Sequence, residues 1–368
     1  MTDYSISIDK QFEFSVIVCA YNGSKVIEPC LNKLINQNFE KNEYEIIIIN
    51  DGSQDNTSDI VKSFINKNRY NGLKISFYNI PHGGLATARN HGIVYSNGKY
   101  IAYIDQDAIP ESNWLQELLN FFHQDDKLGI VGGKVKILND KSWFAAFSHW
   151  FQYYAEDLNG NEIIPIIGCN MAFKKQVFLD VGGFFENFHS CGDETSFIKI
   201  KGSKYFKTGS TSKAVVYHER PWSIVQWLKE RFRNGREYAL ERIIGNYMEQ
   251  SKSYRFYSYL LYRFFSLGFL PLLLLCLIYN DAKLEFIFII NTAFLLYRCF
   301  IRDNALMRLK VFKREYGYLK SIYLTPLYMI LVIIGKFFDD FGFLIGIKLY
   351  ISINVLNKKF KVKKKYSY

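Results

Sequence analysis

Two aspartates, Asp105 and Asp107, flank Gln106 directly after the apolar run Tyr-Ile-Ala-Tyr-Ile. One carboxylate then ends a buried strand, and the other lies two residues on, on the same side of an extended chain. Two hard oxygen ligands at a strand end can hold Mg²⁺ or Mn²⁺, and such an ion binds a diphosphate. The plain alternative is an acidic turn before Pro110. Asp51, in Ile-Ile-Asn-Asp-Gly-Ser-Gln-Asp-Asn-Thr, can accept hydrogen bonds from a uracil-type N–H or a ribose hydroxyl. It can equally serve turn geometry beside Gly52 and Ser53. His218 closes the run Val-Val-Tyr and can ligate the same metal through a ring nitrogen. Beyond it, Arg233 and Arg236 on a helical pattern can clamp a diphosphate. Arg231, Arg233 and Arg236 can also touch lipid phosphates from an interfacial helix.

These residues need a scaffold that brings them together. Five apolar, β-branched runs read as strands: Phe14–Cys19, Tyr44–Asn50, Leu73–Asn79, Tyr100–Asp105 and Ile130–Leu138. Their starts are 30, 29, 27 and 30 residues apart, the length of βαβ units, and near-continuous runs such as Ile46–Ile49 suit a sheet covered on both faces. Between them, Ile27, Leu31, Leu34 and Ile35 repeat with helical period, as does Asp59–Ile65. The expectation is a parallel α/β sheet with working loops at the strand carboxyl ends. Ala20-Tyr21-Asn22-Gly23, Asn50-Asp51-Gly52-Ser53 and Asp105-Gln106-Asp107 all fall at such ends and should share one crevice. Gly-x-Gly-x-x-Gly does not follow the first strand, and no Walker-type loop occurs.

Composition bears on location. The chain has 368 residues and a formal charge of +11. Residues 251–368 hold 19 Lys/Arg against 6 Asp/Glu, leaving a slightly acidic remainder. This last third is also the most apolar, which favours anionic lipid head groups over nucleic acid as the partner. Phe264–Tyr279, Phe286–Tyr297, Ile322–Gly335 and Phe341–Ile347 are uncharged or nearly so, and each is shorter than the ~20 residues of an unaided span. Basic residues between the second and third runs and in the tail predict a cytoplasmic side for both. Four passes, or two passes and a shallow hairpin, fit this pattern; buried helices of a soluble bundle are the alternative. The expected division is 1–250, a cytoplasmic catalytic domain, and 251–368, a membrane domain with two to four apolar helices. Six dispersed cysteines and the absence of a secretory leader point to a reducing, cytosol-facing compartment.

Over residues 12–240 the segments resemble the family 2 glycosyltransferases of GT-A fold. Val16-Ile-Val-Cys-Ala-Tyr-Asn22 is similar to the first-strand motif, Ile49-Asn-Asp-Gly-Ser-Gln-Asp-Asn-Thr57 to the nucleotide-contacting turn, and Gly84-Leu-Ala-Thr-Ala-Arg89-Asn90-His-Gly92 to the helix that follows. Asp105-Gln106-Asp107 stands where the family has its metal-binding Asp-x-Asp; Asn50 stands where it more often has Asp. The resemblance implies that Ala20, Tyr21, Asn22, Asp51, Arg89 and Gln106 line the nucleotide-sugar site, with Tyr21 near the base. It implies Asp107 as the main ligand of Mn²⁺ or Mg²⁺, with Asp105 supporting the metal or, within the nucleotide-sugar site, the ribose. Gly168-Cys-Asn-Met-Ala-Phe-Lys is similar to the acceptor-side segment. Asp193-Glu194 stands where the family's acidic pair supplies the catalytic base; alignment favours Glu194, residue type Asp193, and Glu194 is preferred.

A sugar hydroxyl is a poor nucleophile, so a carboxylate that removes its proton fits a single inverting displacement. His218 to Arg236 resembles membrane-attached, ExoA-like members that extend lipid-linked saccharides, and lacks the Trp of processive synthases. The expected function is metal-dependent, inverting transfer from a nucleoside-diphosphate sugar, UDP favoured, to a polyprenyl-linked saccharide at a bacterial-type cytoplasmic membrane. The competitors are a polyprenyl-phosphate sugar synthase and a catalytically silent nucleotide-binding membrane scaffold.

Overall fold

Val, Ile and Phe crowd the strands because the sheet is buried on both faces. In the first strand, β1 (Phe12–Ala20), alternate residues belong to different cores. Phe14, Val16 and Val18 pack into one with Ile46, Ile48, Tyr100 and Trp114, while Ile17 packs into the other with Ile47, Ile49, Ile101 and Tyr103. The computed structural model describes residues 12–69, 72–138, 143–153, 155–156, 162–184, 186, 205–220 and 223–249, with positions 289, 292, 334, 341 and 345. The chain forms two compact units, Met1–Pro221 with Lys364–Tyr368, and Trp222–Lys363.

In the first unit, β1 is followed by α1 (Ile27–Ile35), β2 (Tyr44–Asp51), α2 (Thr57–Asn68), β3 (Lys74–Ile80), α3 (Leu85–Tyr95), β4 (Gly98–Asp105), β5 (Ala108–Pro110) and α4 (Trp114–Phe122). Then come β6 (Leu128–Ile137), α5 (Trp143–Tyr153), the two-residue strands β7 (Ala155–Glu156) and β8 (Glu162–Ile163), β9 (Met171–Lys174), α6 (Lys175–Val181) and β10 (Lys207–His218). The main sheet has the order β3-β2-β1-β4-β9-β6-β10-β5. All five expected strands form. The first four pair in parallel as expected. The fifth does not join them directly: β9 lies between β4 and β6, antiparallel to both. The sheet is therefore mixed, with β10 parallel to β6 and antiparallel to β5.

Asn170, just before β9, is fully buried and fully bonded. Its amide nitrogen donates to the Lys134 and Ala214 carbonyls at 3.0 Å, and its oxygen accepts the Trp114 indole N–H at 2.9 Å. One side chain thus ties α4, β6 and β10 to the strand entry.

Glu45 serves the opposite edge. Its buried carboxylate accepts from the Ser15 hydroxyl and the Asn97 backbone, both at 2.7 Å, and pairs with Lys74 at 2.9 Å. Replacing Glu45 by Ala is expected to cost about 2–4 kcal/mol, because Ser15 and Asn97 then lose their acceptor inside the core. Chemical denaturation reads this directly; an unchanged midpoint would mean that water replaces the carboxylate.

The second unit contains α7 (Ile224–Glu249). Among the described residues, no helix is long and apolar enough to cross a membrane. The four apolar runs expected to meet lipid lie almost wholly outside the described residues, as do Asp193 and Glu194.

Candidate functional site

The carboxyl ends of β1, β2 and β4 are laced to one another, so their loops form one surface. Gln106 accepts the Tyr21 backbone N–H at 3.1 Å and donates to the Tyr21 carbonyl at 3.0 Å. Asn22, at φ 48°, donates its N–H to the Ser53 hydroxyl at 3.0 Å and accepts the Gln54 N–H at 2.8 Å. Thr57 accepts the Gly23 N–H at 2.8 Å, and Asp55 that of Ser24 at 3.1 Å. Tyr21, Asn22 and Gln106 are therefore tied into one surface with Ser53 and Gln54, and Ala20 lies beside Asn50, the residue before Asp51, in the β1–β2 ladder.

Asp51 is buried, and its two oxygens accept the backbone N–H groups of Gly83 and Gly84 at 2.8 and 3.0 Å, where α3 begins. A carboxylate at that end of a helix is also favoured by the backbone dipoles. His82 Nδ1 lies 2.9 Å from Asp51 Oδ2, and the His82 ring stacks on Tyr21 with centroids 4.4 Å apart. Gly52, at φ +67°, leaves the space: a Cβ there would stand 2.8 Å from the His82 backbone nitrogen. Tyr21 is 42% exposed, so the pair presents an aromatic shelf to solvent.

Arg89, on α3, is not the helix-surface charge that its sequence context also permits. It is 1% exposed, its guanidinium packs over the rings of Tyr103 and Phe184 at 5.8 and 5.5 Å, and Nη2 lies 3.7 Å from Asp105 Oδ1. Gly168 makes this possible, since a Cβ there would collide with Nη2. Gly168→Ala is therefore expected to displace the guanidinium and lower turnover about 10- to 100-fold. Nucleotide release checks it; undiminished activity would mean that the position of Arg89 is dispensable.

His218, at the last residue of β10, faces both aspartates: Nε2 lies 3.3 Å from Asp107 Oδ1 and 3.8 Å from Asp105 Oδ2. Nδ1 lies 2.7 Å from the Glu219 carbonyl, which can only accept, so Nδ1 carries a proton and Nε2 points at the carboxylates. Burial alone would push the His218 pKa down, but the hydrogen bond to Asp107 and the charges of Asp107 and Asp105 raise it to about 9. Burial pushes Asp105 above the usual carboxylate range, against the pull of Arg89. Burial acts on Asp107 in the same sense, but His218 prevails and holds it below that range. Two carboxylates facing an imidazole whose Nε2 is aimed at them are a donor set that fits a hard divalent ion such as Mg²⁺ or Mn²⁺.

Three further residues belong to the cluster without any signal in their spacing. Cys169 completes a group with Asp105 and His218 whose ligand atoms lie within 4.8 Å of one another. Arg220 is buried two residues beyond His218. His149, on α5, is pushed down to about 3, first by burial and then by the charges of Arg220 and His218. Arg233 and Arg236 lie on α7 in the second unit, the former exposed and the latter half-buried.

The family described as glycosyl transferase family 2 matches residues 15–182, and glycosyl transferase family group 2 matches residues 100–301. The glycosyltransferase AglE of Haloferax volcanii is 28% identical over 225 residues, which cover 60% of this chain and 71% of AglE. The probable glycosyltransferase YdaM of Bacillus subtilis is 27% identical over 269 residues, 68% of this chain and 63% of YdaM, so less than two thirds of that relative is spanned. The mannosyltransferase PcManGT of Pyrobaculum calidifontis, solved with GDP-Man and Mn²⁺, shares the fold with a TM-score of 0.52 at 16% identity, over 92% of this chain and 91% of its own.

Proposed function

We propose, from the premise that this chain belongs to glycosyl transferase family 2, that it moves a sugar from a nucleoside diphosphate, UDP favoured, to a polyprenyl-linked saccharide at the cytoplasmic face of a membrane. The reaction is metal-dependent and inverts the anomeric centre. The observation that carries the reading is the meeting of Asp105, Asp107, His218 and Arg89 at the ends of β4 and β10, beside the laced loops that hold Tyr21 and Asp51. Residues 251–368, apolar and basic, support placement at a lipid surface.

In this reading Asp107 and Asp105 would hold a divalent ion through carboxylate oxygens and His218 through a ring nitrogen. A bound Mn²⁺ or Mg²⁺ would supply positive charge against the diphosphate leaving group. Arg89, 3.7 Å from Asp105, favours the charged form of that carboxyl against the effect of burial. Tyr21 and His82 offer a ring surface for the base. Asp51 fixes the Gly83-Gly84 loop and retains lone-pair capacity for a nucleoside N–H. Glu194, or its neighbour Asp193, takes the proton of the acceptor hydroxyl as the glycosidic bond to phosphate breaks.

A panel of nucleotide sugars tested on membranes that contain the protein, scored by nucleotide release, tests this. Release that requires both a divalent ion and acceptor lipid is expected. Release indifferent to EDTA, or none with any donor, would overturn it. Thin-layer separation of the lipid product distinguishes an extended saccharide from a sugar attached directly to polyprenyl phosphate.

A further inference from the structure

The reaction just proposed has no use for Cys169, yet its thiol is built into the wall of the ion site. Among the described residues, Asp105, Cys169 and His218 form the one group in which a carboxylate oxygen, a thiol sulfur and a ring nitrogen all lie within 4.8 Å of one another. Cys169 is 2% exposed, so it is not an ordinary surface thiol. It is also held in place. The next residue, Asn170, is bonded through its side chain to the Lys134 and Ala214 carbonyls and the Trp114 indole. The Asn170 backbone bonds to Ile167 and Gly133, which pins the chain on the carboxyl side of Cys169.

An ion that prefers oxygen gains little from a thiol, and Mg²⁺ or Mn²⁺ is served by the two aspartates. A borderline-soft ion behaves differently. Zn²⁺ takes sulfur, nitrogen and oxygen together in tetrahedral array, and divalent affinity at such mixed sites rises from Mn²⁺ towards Zn²⁺. Ligand atoms on one tetrahedral zinc stand roughly 3.3–3.8 Å apart, given bonds of about 2.0–2.3 Å. The cluster therefore has to draw in by about 1 Å to close on one tetrahedral ion.

We propose that this chain binds Zn²⁺, or another thiophilic divalent ion, through Asp105, Cys169 and His218, and that zinc so bound excludes the ion that supports sugar transfer. The binding stands on the geometry of the trio; the inhibition rests on the function proposed above. On binding, the Cys169 S–H bond breaks, its proton passes to solvent, and the sulfur lone pair forms the Zn–S bond. His218 donates the Nε2 lone pair, releasing any proton it shares with Asp107, and nothing is oxidised or reduced.

Co²⁺ titrated into the purified full-length chain is the probe, because a cobalt–thiolate bond adds a charge-transfer absorption in the near ultraviolet that oxygen and nitrogen ligands do not. The unsubstituted protein is expected to show this band and to lose it when Zn²⁺ displaces Co²⁺. Cys169→Ser and Cys169→Ala are expected to lack it. The zinc concentration that halves Mn²⁺-supported nucleotide release should rise about tenfold or more in both variants, since even an outer partner of a metal ligand is worth 10- to 100-fold. Cobalt bound without the thiolate band in the unsubstituted protein, or a band that persists in both variants, overturns the proposal and leaves the assigned function intact. Failure to bind Co²⁺, Mn²⁺ or Zn²⁺ at all overturns both.

Discussion

Asp107→Asn is expected to reduce sugar transfer about 10³-fold, equivalent to ~4 kcal/mol of lost transition-state stabilisation. The substitution keeps shape and removes charge. Asp107 faces His218 Nε2 at 3.3 Å, and His218 holds its carboxyl below the usual carboxylate range, so the group is ionised and aimed into the cluster at neutral pH. Its amide replacement is a weak ligand for a hard cation and a poor partner for a protonated imidazole. Turnover should collapse, the Mn²⁺ requirement should shift to higher concentration, and the thermal midpoint should change little, because the side chain is 39% exposed. Activity within a few-fold of the unsubstituted protein, measured by nucleotide release across a Mn²⁺ series, would remove Asp107 from the ion site.

The second large effect belongs to Arg89. Arg89→Met should lower kcat/KM about 10²- to 10³-fold, the range seen when one preorganised donor is taken from a reacting site. The planar guanidinium lies 5.8 and 5.5 Å from the Tyr103 and Phe184 ring centres and 3.7 Å from Asp105. Without it, burial of the Asp105 carboxyl is opposed only by His218, and the protonated form gains. Arg89→Lys separates charge from shape: an ammonium restores the charge but neither the planar contact with the rings nor the forked reach. Partial recovery in the lysine variant, with most of the loss in apparent metal affinity, is the expected pattern. If both variants behaved alike and only the melting temperature fell, Arg89 would be a packing residue with no part in the site.

Several features were readable before any fold was known because they depend on short-range chemistry. Runs such as Tyr44–Asn50 are β-branched along their whole length, which only a strand covered on both faces accommodates. Their regular spacing leaves just enough chain for a crossover helix, so β1 to β4 and the helices between them follow. Asp105, Asp107 and Asp51 fall at the carboxyl ends of those strands, so their meeting at one edge was foreseeable. His218 was legible for the same reason, as the polar residue that closes an apolar run.

Other features come from pairing and packing between distant segments. Nothing within Met171–Lys174 marks it as the antiparallel strand that separates β4 from β6; its direction is set by the ladders on either side. A lone arginine within a helix has the pattern of a solvated charge. Arg89 is buried because Gly168, far along the chain, leaves room for its guanidinium and Asp105 gives it a counter-charge. Cys169 has no motif spacing, and it reaches the ion cluster because Asn170 fastens the entry of β9 to β6 and β10. The amino-acid order thus determined that β1 to β4 and β6 form and which acids end β2 and β4, through periodicity and local geometry. The tertiary structure decided which buried neighbours those acids meet, because burial, charge pairing and steric room are properties of contacts between segments that the linear order keeps apart.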